Sequence, residues 1–187
     1  MPGPKVAAPD VPVELREGLE RLRDRLDLPR SFPPPVLEDA EAAAGLAADG
    51  HVDRTDIEFV TIDPASSMDL DQAVQIERDG DGYLVRYAIS DVAHFVRPGT
   101  ALEAETHDRG LTRYAPGARI PLHPSVLSEG AASLLADGRP RPAMMWEIRL
   151  GPDGKTRDVA LTRALVRSYA KLSYDEVQAD VEAGTLH

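Results

Sequence analysis

Residues 61–73 read TIDPASSMDLDQA and place three aspartates, Asp63, Asp69 and Asp71, within nine positions. The stretch lies between two apolar runs, residues 57–62 and 73–76, whose composition predicts strands. Carboxylates are costly to bury without partners, and a divalent cation such as Mg²⁺ is a suitable partner because hard cations prefer carboxylate oxygens. The pattern therefore indicates either a metal site or a solvated, Asp-rich turn.

Composition narrows the class of protein. An EF-hand loop needs an oxygen ligand two residues after Asp71, where this chain has Ala73, so calcium-sensor chemistry is not expected. The 187 residues contain no cysteine, which excludes disulfides, thiol catalysis and thiolate zinc sites. No apolar run is long enough for a membrane span, and the N-terminus lacks an apolar signal core. A cytoplasmic protein is therefore expected.

The net charge of −11 is unevenly distributed along the chain. Residues 1–96 contain 9 basic and 20 acidic residues, and residues 97–171 contain 12 basic and 8 acidic residues. Residues 172–187 contain 4 acidic residues and no basic one. Phosphate contacts favour Lys and Arg, so the middle region is where a path for a nucleic acid is expected, although a scattered solvated surface fits the same count.

Periodicity and turn signals predict an α+β fold, with a mainly antiparallel sheet and flanking helices. Residues 1–52 are expected to form a disordered start, over residues 1–12, and a helical appendage, with helices over residues 13–26 and 36–48. We expect these helices to pack on the main domain; the alternative is a helical RNA-binding appendage. Strands are predicted over residues 57–62, 73–76, 83–89, 144–150 and 159–172, with a hairpin turn at 79–82 and a helix over 100–110.

Six longer motifs occur in a specific order along the chain. They are FVTIDP at 59–64, DLDQA at 69–73, YAISDVAHFVRPG at 87–99, YAPGARIPLHP at 114–124, LSEG with SL at 127–134, and YAKLSYDEV at 169–177. Together they resemble the start of the catalytic domain of the ribonuclease II/ribonuclease R family, the RNB family. The resemblance covers about residues 53–178. Residues 53–187 are therefore expected to be the first part of an RNB-like catalytic domain.

This resemblance implies a 3′-to-5′ exoribonuclease that uses Mg²⁺, or alternatively Mn²⁺, to hydrolyse single-stranded RNA to nucleoside 5′-monophosphates. The family site has four aspartates in the pattern D-x₅-D-x-D-D. By that match Asp63 and Asp69 are metal ligands, and Asp71 is a ligand and the aspartate most critical for hydrolysis. The fourth aspartate falls at Gln72, a candidate ligand with a neutral carbonyl oxygen. We expect this departure to weaken one metal position rather than to abolish activity.

The resemblance also implies contacts with RNA. Tyr114 matches a family tyrosine that stacks on RNA near the scissile end, an interaction that tolerates any base. The alternative is a tyrosine packed within a Pro-rich loop. Arg113 and Arg119 are candidate phosphate contacts, or simply solvated side chains. In the motif at 87–99, Asp91 and His94 are expected to be structural and hydrogen-bonded, with His94 in a strand-like run.

Two other functions are compatible with the residues. One is a non-catalytic RNA-binding or regulatory homologue, motivated by Gln72. The other is a two-metal hydrolase of DNA or another phosphodiester, because the preference for RNA rests on the resemblance alone. The family catalytic domain continues beyond the equivalent of His187, so its remainder is expected to be missing from this chain. We therefore expect this chain by itself to be weakly active or inactive and to expose apolar surface.

Overall fold

The fold is built on a seven-stranded sheet, in a computed structural model that describes residues 12–115 and 118–185. The sheet strands are β1 Val52–Asp53, β2 Phe59–Ile62, β3 Gln72–Asp79, β4 Gly82–Ser90, β7 Arg141–Leu150, β8 Thr156–Val166 and β9 Ser168–Leu172; β5 Arg113–Ala115 and β6 Ala118–Ile120 form a separate hairpin. The helices are α1 Val13–Arg25, α2 Pro34–Ala44, α3 Val92–Phe95, α4 Ala101–Arg109 and α5 Tyr174–Ala183, with a π-helical turn at Leu127–Ala131. The start expected to be disordered lies, apart from Pro12, outside the described residues.

The predicted α+β class and the mainly antiparallel sheet are confirmed. In the strand order β1-β8-β7-β4-β3-β2-β9, the four inner pairings are antiparallel and the two outer pairings, β1 with β8 and β2 with β9, are parallel. The predicted hairpin joins β3 to β4, with Asp79 opposite Gly82. A Cβ atom at Gly82 would lie 1.9 Å from the carbonyl oxygen of Leu150, so glycine is required where β4 approaches the end of β7.

The strand predicted over residues 159–172 is interrupted by a bend at Arg167. One residue separates β8 from β9, yet the two strands lie toward opposite ends of the strand order. Because two chain steps span less than about 8 Å, the two ends of the sheet must come together at this bend. The sheet is therefore strongly curved. Small residues on its buried side, Ala73, Ala88, Ala143 and Ala164, suit the confined inner surface.

The helices form a second core beside the sheet. Val36, Ala40 and Ala43 of α2 are buried with Phe95, Leu102 and Leu127, so the packing predicted for the second helix is confirmed. The same expectation is wrong for α1, in which every residue is at least partly exposed. Its leucine face includes Leu15, which is 53% exposed. The side-chain contacts of α1 with the segment that follows it include the ion pairs of Arg30 with Glu20 and Asp24.

The outer side of the sheet is apolar and lacks a covering layer among the described elements. Antiparallel partners share a face, and the register places Ile76, Val85, Ile148 and Val159 in one row across β3, β4, β7 and β8. Ile76 at one end is 60% exposed and Val159 at the other is 46% exposed. The expected exposure of apolar surface is therefore present on this face. No described helix is both long and apolar enough to cross a membrane.

A buried carboxylate joins three distant parts of the chain. The Asp91 Oδ2 atom accepts hydrogen bonds from Arg163 Nε and Nη2 at 2.9 and 2.7 Å and lies 3.0 Å from His51 Nε2. Burial would raise the pKa of Asp91, but these partners outweigh it and hold the pKa below its ordinary value of 3.8. His94 is also buried, with its ring edge-on to His51. It lies in the one-turn helix α3, not in the predicted strand, because the chain turns immediately after β4 at Asp91.

We predict that Asp91→Asn destabilises the fold at pH 7 by about 1.5–3 kcal/mol, the range for hydrogen bonds to a charged group. Because the folded pKa of Asp91 is lowered, its contribution is present above the ordinary pKa and is lost as pH falls through the folded pKa. Urea unfolding at pH 7 and below pH 4 should show the two proteins converging in acid. Asp153→Asn, at an exposed ion pair, should change little. A constant difference across pH would contradict this prediction.

Candidate active site

The carboxylate loop, residues 63–71, connects the end of β2 to the start of β3 and has no regular secondary structure. Leu70, near the end of the loop, is fully buried, whereas Asp69 and Asp71 on either side of it line a cavity of about 370 Å³ together with Asp63. The structure thus brings the three predicted aspartates together. The same cavity is lined by Val60, Ile62, Gln72, Ala73, Val74, Tyr87 and Tyr174.

Both ends of the loop are tied to strands. The amide of Asp63 donates to the carbonyl of Leu172 on β9 at 3.1 Å, which extends the β2–β9 pairing. The carbonyl of Asp71 accepts from the amide of Ser90 on β4 at 2.9 Å, which extends the β3–β4 pairing. Asp63 and Asp71 therefore lie at the ends of the β2–β9 and β3–β4 pairings. In the sequence, each of these ends is a point where apolar residues meet polar ones.

The carboxylates in this cavity disfavour one another's charge. Desolvation raises the pKa of Asp63, and the charge of Asp69 raises it further, with Lys171 acting in the opposite direction. Desolvation likewise raises the pKa of Asp71, reinforced by the charges of Asp69 and Asp63 and opposed by Arg119. The cavity is therefore a region of concentrated negative potential, which a cation would relieve.

One cation already present is the guanidinium of Arg119. Its Nη2 atom donates to Asp69 Oδ2 at 2.8 Å and its Nη1 atom donates to Glu129 Oε1 at 3.0 Å. Arg119 lies on β6, so this pair fastens the β5–β6 hairpin beside the carboxylate loop. The predicted contact of Arg119 with a phosphate remains a prediction, and its guanidinium would have to be shared between Asp69 and that phosphate.

The donor set fits a hard divalent cation in chemical type. Three carboxylates and an amide oxygen line one cavity, and carboxylate oxygens are what Mg²⁺ prefers. The side chains of Asp63, Asp69, Asp71 and Gln72 are those that would hold the ion. Within residues 12–115 and 118–185, however, no three Asp, Glu or His side chains stand together as a preformed metal site. Asp69 is engaged by Arg119, so an ion must compete with the guanidinium.

Gln72 is the first residue of β3, and its side chain is engaged as well. The hydroxyl of Tyr87, on the neighbouring strand β4, donates to Gln72 Oε1, which is the oxygen that would face a metal ion. Tyr87 and Tyr174 also line the cavity, although sequence reasoning did not single them out for the site. The register of β3 with β4 puts Tyr87 near Gln72, and this register was predictable only from the hairpin.

A second cavity of about 380 Å³ adjoins the first and shares Asp69, Asp71 and Gln72 as a common wall. Arg119 and His123 also line this second cavity. The first cavity is therefore the more acidic of the two, because three carboxylates line it, whereas two of them and the Arg119 guanidinium line the second.

Tyr114 is presented by the same hairpin as Arg119. The two residues are opposite each other in the β5–β6 register, so their side chains share a face. The side chain of Tyr114 is 75% exposed rather than packed in the Pro-rich loop. An exposed ring on the face of Arg119, which lines the second cavity, is suitable for stacking, which remains a prediction. Arg113 is partly exposed on β5, opposite Ile120.

Comparison with known proteins relates these features to one family. Residues 51–185 match the family described as the RNB domain. Exoribonuclease 2 of Photorhabdus laumondii is 40% identical over 128 residues, covering 67% of this chain and 20% of that protein. Mycoplasma genitalium RNase R, solved in complex with double-stranded RNA, superimposes with a TM-score of 0.80 at 25% identity, covering 91% of this chain and 31% of that one. The same protein has been solved with ribose methylated single-stranded RNA, with a TM-score of 0.80. The chain spans about a fifth of the length of the curated relatives it matches.

We predict that Arg119→Gln strengthens Mg²⁺ binding several-fold, because the ion no longer competes with a guanidinium for Asp69. Isothermal titration calorimetry of the full chain would measure the dissociation constant. Arg113→Gln is the matched control, since it removes the same charge from the same hairpin and leaves the Asp69 pair intact. Unchanged or weaker Mg²⁺ binding by Arg119→Gln would show that the guanidinium does not compete with the ion.

Proposed function

The chain belongs to the RNB domain family, and from this membership we propose that it supplies the metal-binding part of a 3′-to-5′ exoribonuclease. The proposed reaction is hydrolysis of single-stranded RNA to nucleoside 5′-monophosphates. The observation that carries this proposal is the meeting of Asp63, Asp69 and Asp71 in one cavity. The curated relatives are named exoribonucleases, which supports the same class of activity.

The proposed division of labour follows the two cavities. Asp63, Asp69 and Asp71, with Gln72 as a weaker fourth donor, would hold Mg²⁺ or Mn²⁺ in the acidic cavity. A bound divalent ion supplies an activated water and stabilises the leaving oxygen of a phosphodiester. Asp71 belongs, with Asp69 and Gln72, to the wall that the two cavities share, and its carboxylate would hold the ion beside a phosphate in the neighbouring cavity.

The RNA would be held by the β5–β6 hairpin. The exposed ring of Tyr114 is available to stack on a base, and base–aromatic stacking contributes about 1–3 kcal/mol per base without sequence preference. Arg119 would offer its charge to a phosphate in the second cavity, with Arg113 as a further candidate on the same hairpin. Solved complexes of Mycoplasma genitalium RNase R with RNA support RNA as the substrate class.

Two narrower expectations remain predictions. One is a cytoplasmic location. The other is that this chain alone turns over RNA weakly or not at all, because positioning of the substrate for attack contributes much of the barrier reduction and the chain spans about a fifth of its curated relatives.

In a protein that spans the full length of the curated relatives, we predict that Asp71→Asn abolishes hydrolysis while leaving RNA affinity nearly unchanged, because it removes transition-state stabilisation rather than ground-state contacts. End-labelled single-stranded RNA would report both turnover and direction, and a binding titration in EDTA would report affinity. Asp158→Asn, which removes an exposed carboxylate from β8, is the control.

The outcomes separate the alternatives. Wild-type degradation from the 5′ end, or full activity of Asp71→Asn, would refute the proposed reaction. RNA binding without any metal-dependent cleavage, even in a protein that spans the full length of the curated relatives, would identify a non-catalytic RNA-binding homologue. Equal cleavage of DNA would identify a phosphodiester hydrolase that does not discriminate by the 2′-hydroxyl.

A second prediction concerns the neutral donor. Gln72→Asp should lower the Mg²⁺ concentration needed for half-maximal activity, because a charged oxygen replaces an amide oxygen that accepts from Tyr87. A metal titration of cleavage would measure it, with Gln75→Asp on the same strand as the control for added charge. An identical titration for Gln72→Asp and wild type would show that position 72 does not coordinate the ion.

A further inference from the structure

The carboxylate loop must hold like charges together without the hydrogen-bond ladder of a strand or helix. Its three aspartates line one cavity, and they repel one another. Backbone carbonyls in an irregular segment need partners from elsewhere in the molecule. Two side chains from distant parts of the chain, Lys171 and Ser133, supply such partners.

Lys171 holds the half of the loop next to Asp63. It lies on β9, opposite Thr61 of β2, and its Nζ atom donates to the carbonyls of Ala65 at 2.8 Å and Ser67 at 2.5 Å. These carbonyls belong to the tight turn in which the amide of Ser67 donates to the carbonyl of Pro64 at 2.8 Å. One ammonium group therefore fastens the turn to the edge of the sheet. Its charge also favours the ionised form of Asp63.

Ser133 holds the half of the loop that contains Asp69. Its fully buried hydroxyl donates to the carbonyl of Met68 at 2.7 Å and accepts from the amide of Leu70 at 3.0 Å. The residues immediately before and after Asp69 are thus bound by one oxygen atom. The amide of Leu134 adds a third hydrogen bond, to the carbonyl of Leu70 at 2.8 Å. The backbone at Asp69 has little freedom to move away from the cavity.

We propose that Lys171 and Ser133 are positioning residues that form a clamp: each holds one half of the carboxylate loop, and together they keep the three aspartates at one cavity. Neither residue is required to touch RNA or the ion. The proposal rests on the proposed function for its catalytic meaning, but the clamp itself is a property of the metal-free protein. Removing either side chain should let repulsion spread the carboxylates, which weakens every interaction that needs them together.

The test compares Lys171→Met and Ser133→Ala with wild type in the full chain. Lys171→Met keeps most of the aliphatic stem and removes both hydrogen bonds, and Lys171→Arg keeps the charge and the donors. Lys155→Met removes the same charge from an exposed position, and Ser168→Ala removes a buried residue's hydroxyl, which donates to the carbonyl of Ala170 at 3.3 Å. These two variants are the matched controls.

Two measurements are made on each protein. Amide hydrogen exchange in EDTA should become at least about tenfold faster within residues 65–71 in Lys171→Met and Ser133→Ala, with the amide of Leu70 most affected by Ser133→Ala. Calorimetry should show Mg²⁺ binding weakened by about tenfold, which is about 1.4 kcal/mol. Lys171→Arg should restore most of both properties, and the controls should resemble wild type.

Hydrogen exchange tests the clamp, whereas Mg²⁺ binding and RNA cleavage by wild type test the proposed function. If wild type binds no Mg²⁺ and cleaves no RNA, the proposed function is wrong, and the exchange measurement still decides whether the loop is clamped. If exchange and Mg²⁺ affinity in Lys171→Met and Ser133→Ala match those of the controls, the clamp is overturned. If Ser133→Ala does not fold, Lys171→Met decides the matter, because Lys171 lies on an edge strand and is partly exposed.

Discussion

Repulsion among Asp63, Asp69 and Asp71 is the constraint to which the surrounding structure responds. Desolvation and neighbouring charge raise the pKa values of Asp63 and Asp71, so the folded protein holds these groups at a cost. Arg119 and Lys171 offset part of this cost by opposing those shifts. The hydrogen bonds to the loop then keep the carboxylates in place. A site of this kind is less stable without a cation than with one, and this is the electrostatic condition for binding a divalent metal.

The curved sheet explains how one short loop can be reached from so many directions. Because the bend at Arg167 brings β9 beside β2, Lys171 meets the loop from one side. The segment after the π-helical turn brings Ser133 to it from the other side. The β5–β6 hairpin adds Arg119, and with it the exposed Tyr114. Loop, hairpin and edge strand therefore form a single structural unit, in which a change in one contact alters the position of the carboxylates.

Two other features indicate how this unit is supported. Asp91 connects His51, at the start of the domain, to Arg163 on β8. These contacts fix the end of β4, where the amide of Ser90 donates to the carbonyl of Asp71. The outer side of the sheet instead carries an apolar row with exposed ends at Ile76 and Val159. The carboxylate cavity lies on this same side of the sheet, because Gln72, Val74 and Tyr87, which line it, share the face of Ile76. The outer side presents apolar area of the kind that interfaces contain.

The sequence by itself determined the elements whose signals are local. Turn residues at 79–82 specified the β3–β4 hairpin, apolar runs specified the strands that flank the carboxylate loop, and the spacing of three aspartates specified which side chains meet there.

Tertiary structure decided the rest. Periodicity encodes which face of an element is apolar but not what covers it, so α2 is packed while the leucine face of α1 is exposed. An alternating pattern also continues unchanged through a bend, so β8 and β9 were predicted as one strand. Arg119 pairs with Asp69, and Lys171 and Ser133 hold the carboxylate loop, across separations of 50 to 106 positions in the chain. Such contacts depend on how the sheet folds back on itself, and local sequence carries no signal for them.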